Sequence, residues 1–199
     1  MSAHGKALSG RGRCRALSAE PFTATRDLLR AELAGDLSRG GYVLRTDDAH
    51  ARDRRYFDKF LVLSRPGMLT RAARLLADMV SEDCERLAVT GVPSTALGTA
   101  IAQQTGLSLL LSDDDRPGTF GGELFAGTRV TLVEDIVFTG RRALGGARAL
   151  REAGAEVLDI LCLLDRQSGA AQLLAGDALA LRALFTETEL LEQPGQAPR

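Results

Sequence analysis

Glu134 and Asp135 stand side by side after the apolar run Val130-Thr131-Leu132-Val133 and are followed by Ile136-Val137-Phe138-Thr139-Gly140. Adjacent carboxylates at a strand end can accept hydrogen bonds from two neighbouring sugar hydroxyls, or hold a metal already bound to a phosphorylated ligand. A short loop that opens a helix offers backbone N–H groups and the positive end of a helix dipole, and Thr139 adds a hydroxyl donor. Such a cradle suits a phosphate. The competing reading makes Glu134 and Asp135 plain caps of the next helix. The combination of acids, loop and helix start points instead to a nucleotide or sugar-phosphate site.

The surrounding pattern says what must position these residues. Short apolar runs at Leu87-Ala88-Val89, 107–111, 130–133, 157–164 and 179–185 alternate with helical stretches at about 95–104 and 141–153. Fully apolar strands separated by helices indicate parallel βαβ units covered on both faces, so the spacing predicts a doubly wound α/β core over about 67–190. Upstream, Phe22, Leu28, Leu29, Leu33 and Leu37 recur at helical spacing over 22–38, and Gly40-Gly41 stops the run. Residues 42–63 read as short strands and a loop, and Pro66 opens a second helix over about 67–84. The N-terminal segment is expected to pack across the strand ends. Ligands of such sheets sit where strands end and helices begin, which selects the loops 91–95, 112–122 and 134–142.

Composition narrows the chemistry. The chain has 199 residues, 45% hydrophobic and 26% charged, enough for one α/β domain with a small appendage. No apolar run reaches membrane-spanning length, so no membrane partner is expected. A net charge of −1 argues against general nucleic-acid binding. Lys6 and Lys59 are the only lysines, which excludes a pocket built from several. Cys14, Cys84 and Cys162 are far apart, and His4 and His50 are the only histidines, so no Cys/His metal site can be assembled. No apolar stretch follows the basic opening segment, so it is not read as a secretory signal. A reducing, cytoplasmic setting is expected.

The 130–140 segment resembles the phosphoribosyl pyrophosphate (PRPP) motif of the type I phosphoribosyltransferases. Tyr56-Phe57-Asp58-Lys59-Phe60, Gly91-Val92-Pro93, the Gly122–Gly127 run, the Leu150–Val157 run and Leu164-Asp165-Arg166-Gln167 follow in the order seen in the orotate phosphoribosyltransferases. The likeness spans roughly residues 25–190. It implies a Rossmann-like parallel sheet core over 67–190 and a small N-terminal hood over 21–66, between a basic tail (1–20) and a short C-terminal tail (191–199). It also implies transfer of the phosphoribosyl group of PRPP to a nitrogenous base, by default orotate, with release of pyrophosphate. That reaction is a step of pyrimidine nucleotide synthesis.

Roles follow by the same resemblance. Glu134 and Asp135 would meet the ribose hydroxyls. Ile136, Val137, Phe138, Thr139 and Gly140, with Arg141 and Arg142, would surround the 5′-phosphate. Gly91, Val92, Pro93 and Ser94 would form the pyrophosphate loop, and Phe57 and Arg166 would meet the base. Magnesium would arrive with PRPP, held mainly by the ligand's oxygens, with no metal held by the chain alone. The resemblance also implies a homodimer, with residues 56–63 near its interface.

The sequence departs from the family in four places, one of them Gly91-Val92-Pro93-Ser94-Thr95, which lacks the basic residue expected in the pyrophosphate loop. The stretch expected to carry a mobile loop rich in lysine and arginine is Ser112-Asp113-Asp114-Asp115-Arg116-Pro117-Gly118-Thr119-Phe120, with three consecutive aspartates. Arg116 is its only cation, which makes it the candidate for lid chemistry; a plain acidic surface turn is the competing reading. Phe138 replaces a hydroxyl, and Arg141-Arg142 replace small residues, so these arginines either bind phosphate directly or are solvated. Arg45-Thr46-Asp47-Asp48 stands where a lysine-containing segment is expected. Three readings stay open: an enzyme acting on orotate, a transferase acting on another base, and a non-catalytic homologue that binds PRPP or a nucleotide.

Overall fold

The computed structural model of the chain describes residues 20–40, 42–44, 55–113, 116 and 118–193. The 1–19 tail, the segment carrying Arg45 to Asp48 and His50, and Asp114, Asp115 and Pro117 lie outside those residues, as does the stretch from 194 onward.

Helix α1 (Glu20–Gly40) leads to a two-stranded antiparallel ribbon, β1 (Tyr42–Leu44) with β2 (Arg55–Phe57). The apolar run after it is not a strand. Phe60 to Leu63 form part of a short helix, α2 (Lys59–Leu63), because the Asp58 carboxylate caps it by accepting the Leu61 N–H at 3.0 Å. Helix α3 (Pro66–Ala77) starts on its proline as expected, but stops before residue 84. Its last turn tightens as Met79 and Val80 N–H groups bond back to Leu76 and Ala77.

The core then alternates β3 (Arg86–Val89), α4 (Val92–Thr105), β4 (Ser108–Ser112), β5 (Phe120–Gly121), β6 (Arg129–Val137), α5 (Arg141–Glu152), β7 (Glu156–Asp165), α6 (Ala170–Ala175), β8 (Ala180–Thr186) and α7 (Glu187–Leu191). The six strands lie in the order β5-β4-β3-β6-β7-β8, all parallel except β5, which pairs antiparallel with β4. From β3 the chain winds outward to β4, then returns to lay β6 on the other side. The β3–β6 boundary is therefore the switch point at which such sheets open a crevice.

Alternate side chains divide the core between the two faces. Leu87, Val89, Val133, Leu161 and Leu163 pack with α1, α3 and α4 on one face; Ala88, Leu132 and Ile160 pack with α5 and α6 on the other. Helix α4 lies hard against β3, where a Cβ on Gly98 would overlap Val89 Cγ1. Among the described residues, the end of β2 and the start of α2 reach the strand ends, through Phe57 and Lys59. Helix α1 instead lies beside α3 and α7, tied by Asp36 to Arg71 at 2.6 Å, Arg30 to Glu189 at 2.7 Å, and the Ser38 hydroxyl donating to the Leu190 carbonyl at 2.8 Å.

Candidate active site

The acid pair does not end its strand. Strand β6 continues through Glu134 and Asp135 to Val137, pairing Ile136 with Leu164 and Val137 with Asp165, and only Phe138-Thr139-Gly140 form the loop before α5. Both carboxylates are buried, with Glu134 1% and Asp135 0% exposed. Burial of two charges demands partners, and the chain supplies them. Arg142 Nη2 lies 2.6 Å from Glu134 Oε2 and 2.9 Å from Asp135 Oδ1, and Lys59 Nζ lies 2.9 Å from Asp135 Oδ2. Thr90 donates its hydroxyl to Glu134 Oε1. Ser94 Oγ lies 3.1 Å from both Glu134 Oε2 and Asp135 Oδ1, and accepts the Asp135 N–H at 3.3 Å.

These contacts part the two acids electrostatically. Burial pushes the Glu134 carboxyl above its ordinary range, and the Arg142 charge with the Thr90 hydroxyl only partly offsets this. Burial acts on Asp135 too, but the Lys59 ammonium, the Ile136 N–H and Arg142 together hold its carboxyl below the ordinary range. Arg142 is desolvated as well; its two carboxylate partners outweigh that and hold its proton more tightly than usual.

The 5′-phosphate candidates surround a cleft of about 320 Å³, lined without a break from Ile136 to Ala143 and closed by Phe57, Lys59, Glu134 and Arg166. Its rim is cationic: Lys59, Arg141, Arg142 and Arg166 face one lining carboxylate. Gly140 sits at φ 76° at the N-cap of α5, and a Cβ there would stand 3.1 Å from Ala170 Cβ, so the tight loop depends on glycine. The twelve-residue α5 has no side-chain cap, which leaves its first N–H groups directed at the cleft mouth.

Other expected residues fall differently. Helix α4 already begins at Val92, so Pro93 and Ser94 belong to its first turn rather than to a loop. Val92 is exposed, whereas Ser94 is fully buried on the acid pair. Gly91 still faces the phosphate loop: a Cβ on it would lie 3.8 Å from Arg142 Nη1. Phe57 lines the cleft but is 1% exposed and belongs to the core. Arg166 pairs through Nε with Glu187 Oε1 at 2.6 Å, and its guanidinium lies 5.7 Å from the centre of the exposed Phe138 ring. Arg116 is the residue the fold does not bring in. It is 77% exposed in the β4–β5 turn, bonded to Asp113 at 2.7 Å, and outside the cleft lining.

Lys59, Thr90 and Glu187 carried no role in the sequence reading. Lys59 was visible there as one of two lysines and within the Tyr56–Phe60 run, and nothing local marks Thr90 or Glu187. A second hollow of about 510 Å³ beside Asp165, Gln167 and α6 offers one carboxylate and amides but no cation. Cys84 and Cys162 are buried, and burial pushes both thiols up, so neither is a nucleophile.

Magnesium does not fit as a resident of this chain. Among the described residues no three His, Cys, Asp or Glu side chains gather to hold an ion, and Glu134 and Asp135 already face Arg142 and Lys59. Among the same residues no helix is long and apolar enough to cross a membrane.

Comparison with known proteins agrees with this geometry. The chain is 34% identical to the orotate phosphoribosyltransferase of Halobacterium salinarum over 179 residues, covering 86% of this chain and 99% of that one. It is 32% identical to the orotate phosphoribosyltransferase of a Nocardioides species over 172 residues, covering 81% and 94%. Its fold superposes with a TM-score of 0.68 on the Mycobacterium tuberculosis orotate phosphoribosyltransferase in complex with PRPP, at 26% identity, covering 81% and 98%. No family model matches the chain.

Proposed function

The chain belongs to the type I phosphoribosyltransferases, close to their orotate branch, and from that membership we propose that it transfers the phosphoribosyl group of PRPP to a nitrogenous base, by default orotate, releasing pyrophosphate. One observation carries the reading: a buried acid pair on the central strand β6 lies at the sheet's switch point, directly before a glycine loop and an uncapped helix start.

Each residue's task follows from its surroundings. Glu134 and Asp135 accept the ribose hydroxyls, and those oxygens become available as Arg142 swings off them. Arg142 then has the 5′-phosphate within its short arc, where a guanidinium fork and the α5 N–H groups hold it with Thr139 and Arg141. Lys59 stays on Asp135 and keeps it ionised. The 91–94 turn lies beside Arg142, which supports a pyrophosphate position between them. Arg166, Phe138 and Phe57 face the base. As a ring nitrogen of the base bonds to the anomeric carbon and the bond to pyrophosphate breaks, charge grows on the departing oxygens, and the positive potential of the cleft rim, to which Lys59, Arg141, Arg142 and Arg166 all contribute, stabilises it. Magnesium arriving with PRPP would add positive charge at the ligand without calling on a carboxylate of this chain.

A homodimer and a reducing compartment are part of the same proposal. Phe60 and Val92, exposed on α2 and at the start of α4, support the former; buried free thiols at Cys84 and Cys162 support the latter. A second reading, binding without turnover, is favoured by Arg116 lying outside the cleft.

Calorimetric titration with PRPP and magnesium, followed by pyrophosphate release with orotate and a panel of bases, tests the proposal. Binding with turnover is the expected result. Binding without turnover on any base would establish the second reading, and absence of binding would overturn both.

A further inference from the structure

Arg166, which lines the cleft, is already paired with a carboxylate that stands behind the lining. Glu187 Oε1 lies 2.6 Å from Arg166 Nε, and the two side chains are only 17% and 16% exposed. The turn that carries Arg166 is fastened to the helix that carries Glu187: Gln167 Oε1 accepts both the N–H of Thr188, at 3.0 Å, and its hydroxyl, at 2.6 Å. Gln167 itself is held at φ 54°, a conformation unfavourable for a non-glycine residue, and its N–H bonds to Asp165 Oδ1 at 2.8 Å. A Thr186–Glu189 capping box sets the direction of α7 from the other side. The pair is thus held in place from both elements. Beside it, the Arg166 guanidinium lies over the exposed Phe138 ring, 5.7 Å from its centre, so the aromatic face turned to Arg166 is already covered.

A planar acceptor that enters the cleft beside Phe138 meets Arg166 along one edge. If that edge carries a negative group, it competes with Glu187 for the same donors and meets a like charge in a half-dry corner. A neutral edge with a carbonyl and an N–H asks for no displacement, since the guanidinium donates and the carboxylate accepts. We propose that Glu187 is the residue that sets acceptor choice in this site, weakening recognition of bases that bear a carboxylate at this edge relative to uncharged bases. The inference rests on the cleft being the nucleotide site of the preceding section.

The test uses product-type nucleotides, so that it reads the corner without depending on turnover. Orotidine 5′-monophosphate and uridine 5′-monophosphate share ribose and phosphate and differ by the carboxylate. Their dissociation constants are measured by calorimetry on the full chain and on Glu187→Gln and Glu187→Ala. The expected result is a shift of the affinity ratio toward the carboxylated nucleotide by at least about tenfold in both variants, with uridine 5′-monophosphate affinity unchanged or lowered as its acceptor is lost. A merely structural role would weaken both nucleotides alike and leave the ratio where it was. An unchanged ratio with both nucleotides still bound overturns the role of Glu187 and leaves the transferase reading standing. Failure of either nucleotide to bind any of the three proteins overturns both.

Discussion

Arg142 closes its guanidinium onto the Glu134 carboxylate at 2.6 Å across a separation of eight residues that leave a strand, turn through a loop and enter a helix. The start of α5 thereby grips the acid pair of β6. Arg142→Ala removes the grip and leaves Glu134 buried with hydroxyls alone. Breaking a fully buried pair costs about 3–5 kcal/mol, but Arg142 is half exposed, so the loss of stability is expected to be about 1–2 kcal/mol in urea denaturation. PRPP affinity is expected to fall by about tenfold or more. Unchanged affinity would mean that Arg142 never transfers to the phosphate.

Asp135→Asn is expected to abolish detectable PRPP binding. The amide cannot accept at both oxygens, and Lys59 loses its counter-charge. Titration calorimetry reads this directly, and undiminished binding would remove the ribose assignment.

Stability should respond to pH in opposite senses at the two acids. The folded carboxyl of Glu134 lies above its ordinary value of 4.5, so just above that pH the native state holds the extra proton and stability falls as pH rises. Asp135 lies below its ordinary 3.8, so its contribution is present above that value and is lost as pH falls through the folded pKa. Urea midpoints for the wild type and Glu134→Gln across this range should differ by the decline above pH 4.5, which the variant lacks. Parallel curves would contradict the assignment.

Gly140→Ala places a methyl at φ 76° within 3.1 Å of Ala170 Cβ. A stability loss of about 1–3 kcal/mol is expected from the backbone and the contact together. PRPP affinity should fall with it, because the loop cannot keep its shape. A variant with native stability and affinity would show that α6 yields to the new methyl.

Arg116→Ala is expected to change stability by less than about 0.5 kcal/mol, since its ion pair with Asp113 is exposed. Pyrophosphate release should stay within about twofold of wild type. A fall of tenfold or more would return Arg116 to the machinery as a residue that closes over bound PRPP.

The parallel sheet and the glycine loop were legible because each is a local signal: apolar runs of strand length, and a Thr139-Gly140 turn before a helical stretch; the acid pair was legible as a pair but lies inside β6 rather than at its end. The Phe60–Leu63 run was misread because a short apolar stretch looks alike as strand or helix, and the deciding signal was the single capping carboxylate of Asp58. The partners of the acids were not legible. Lys59 and Asp135, Thr90 and Glu134, Arg166 and Glu187 meet only after the sheet has brought distant segments together, and no spacing along the chain encodes that.

Helix α1 and helix α7 are joined through Arg30, which bonds the Leu184 carbonyl and the Glu189 carboxylate across 154 and 159 residues of chain. Contacts so distant in sequence require the largest loop to close, and they form after the local βαβ units that shorten it. Helix α7 also carries Glu187, yet that helix is tied to the turn after β7 over only 21 residues, through Gln167 and Thr188. The pairing of Arg166 with Glu187 is therefore held within one local unit, and the Arg30 contacts fasten that unit to the N-terminal helix.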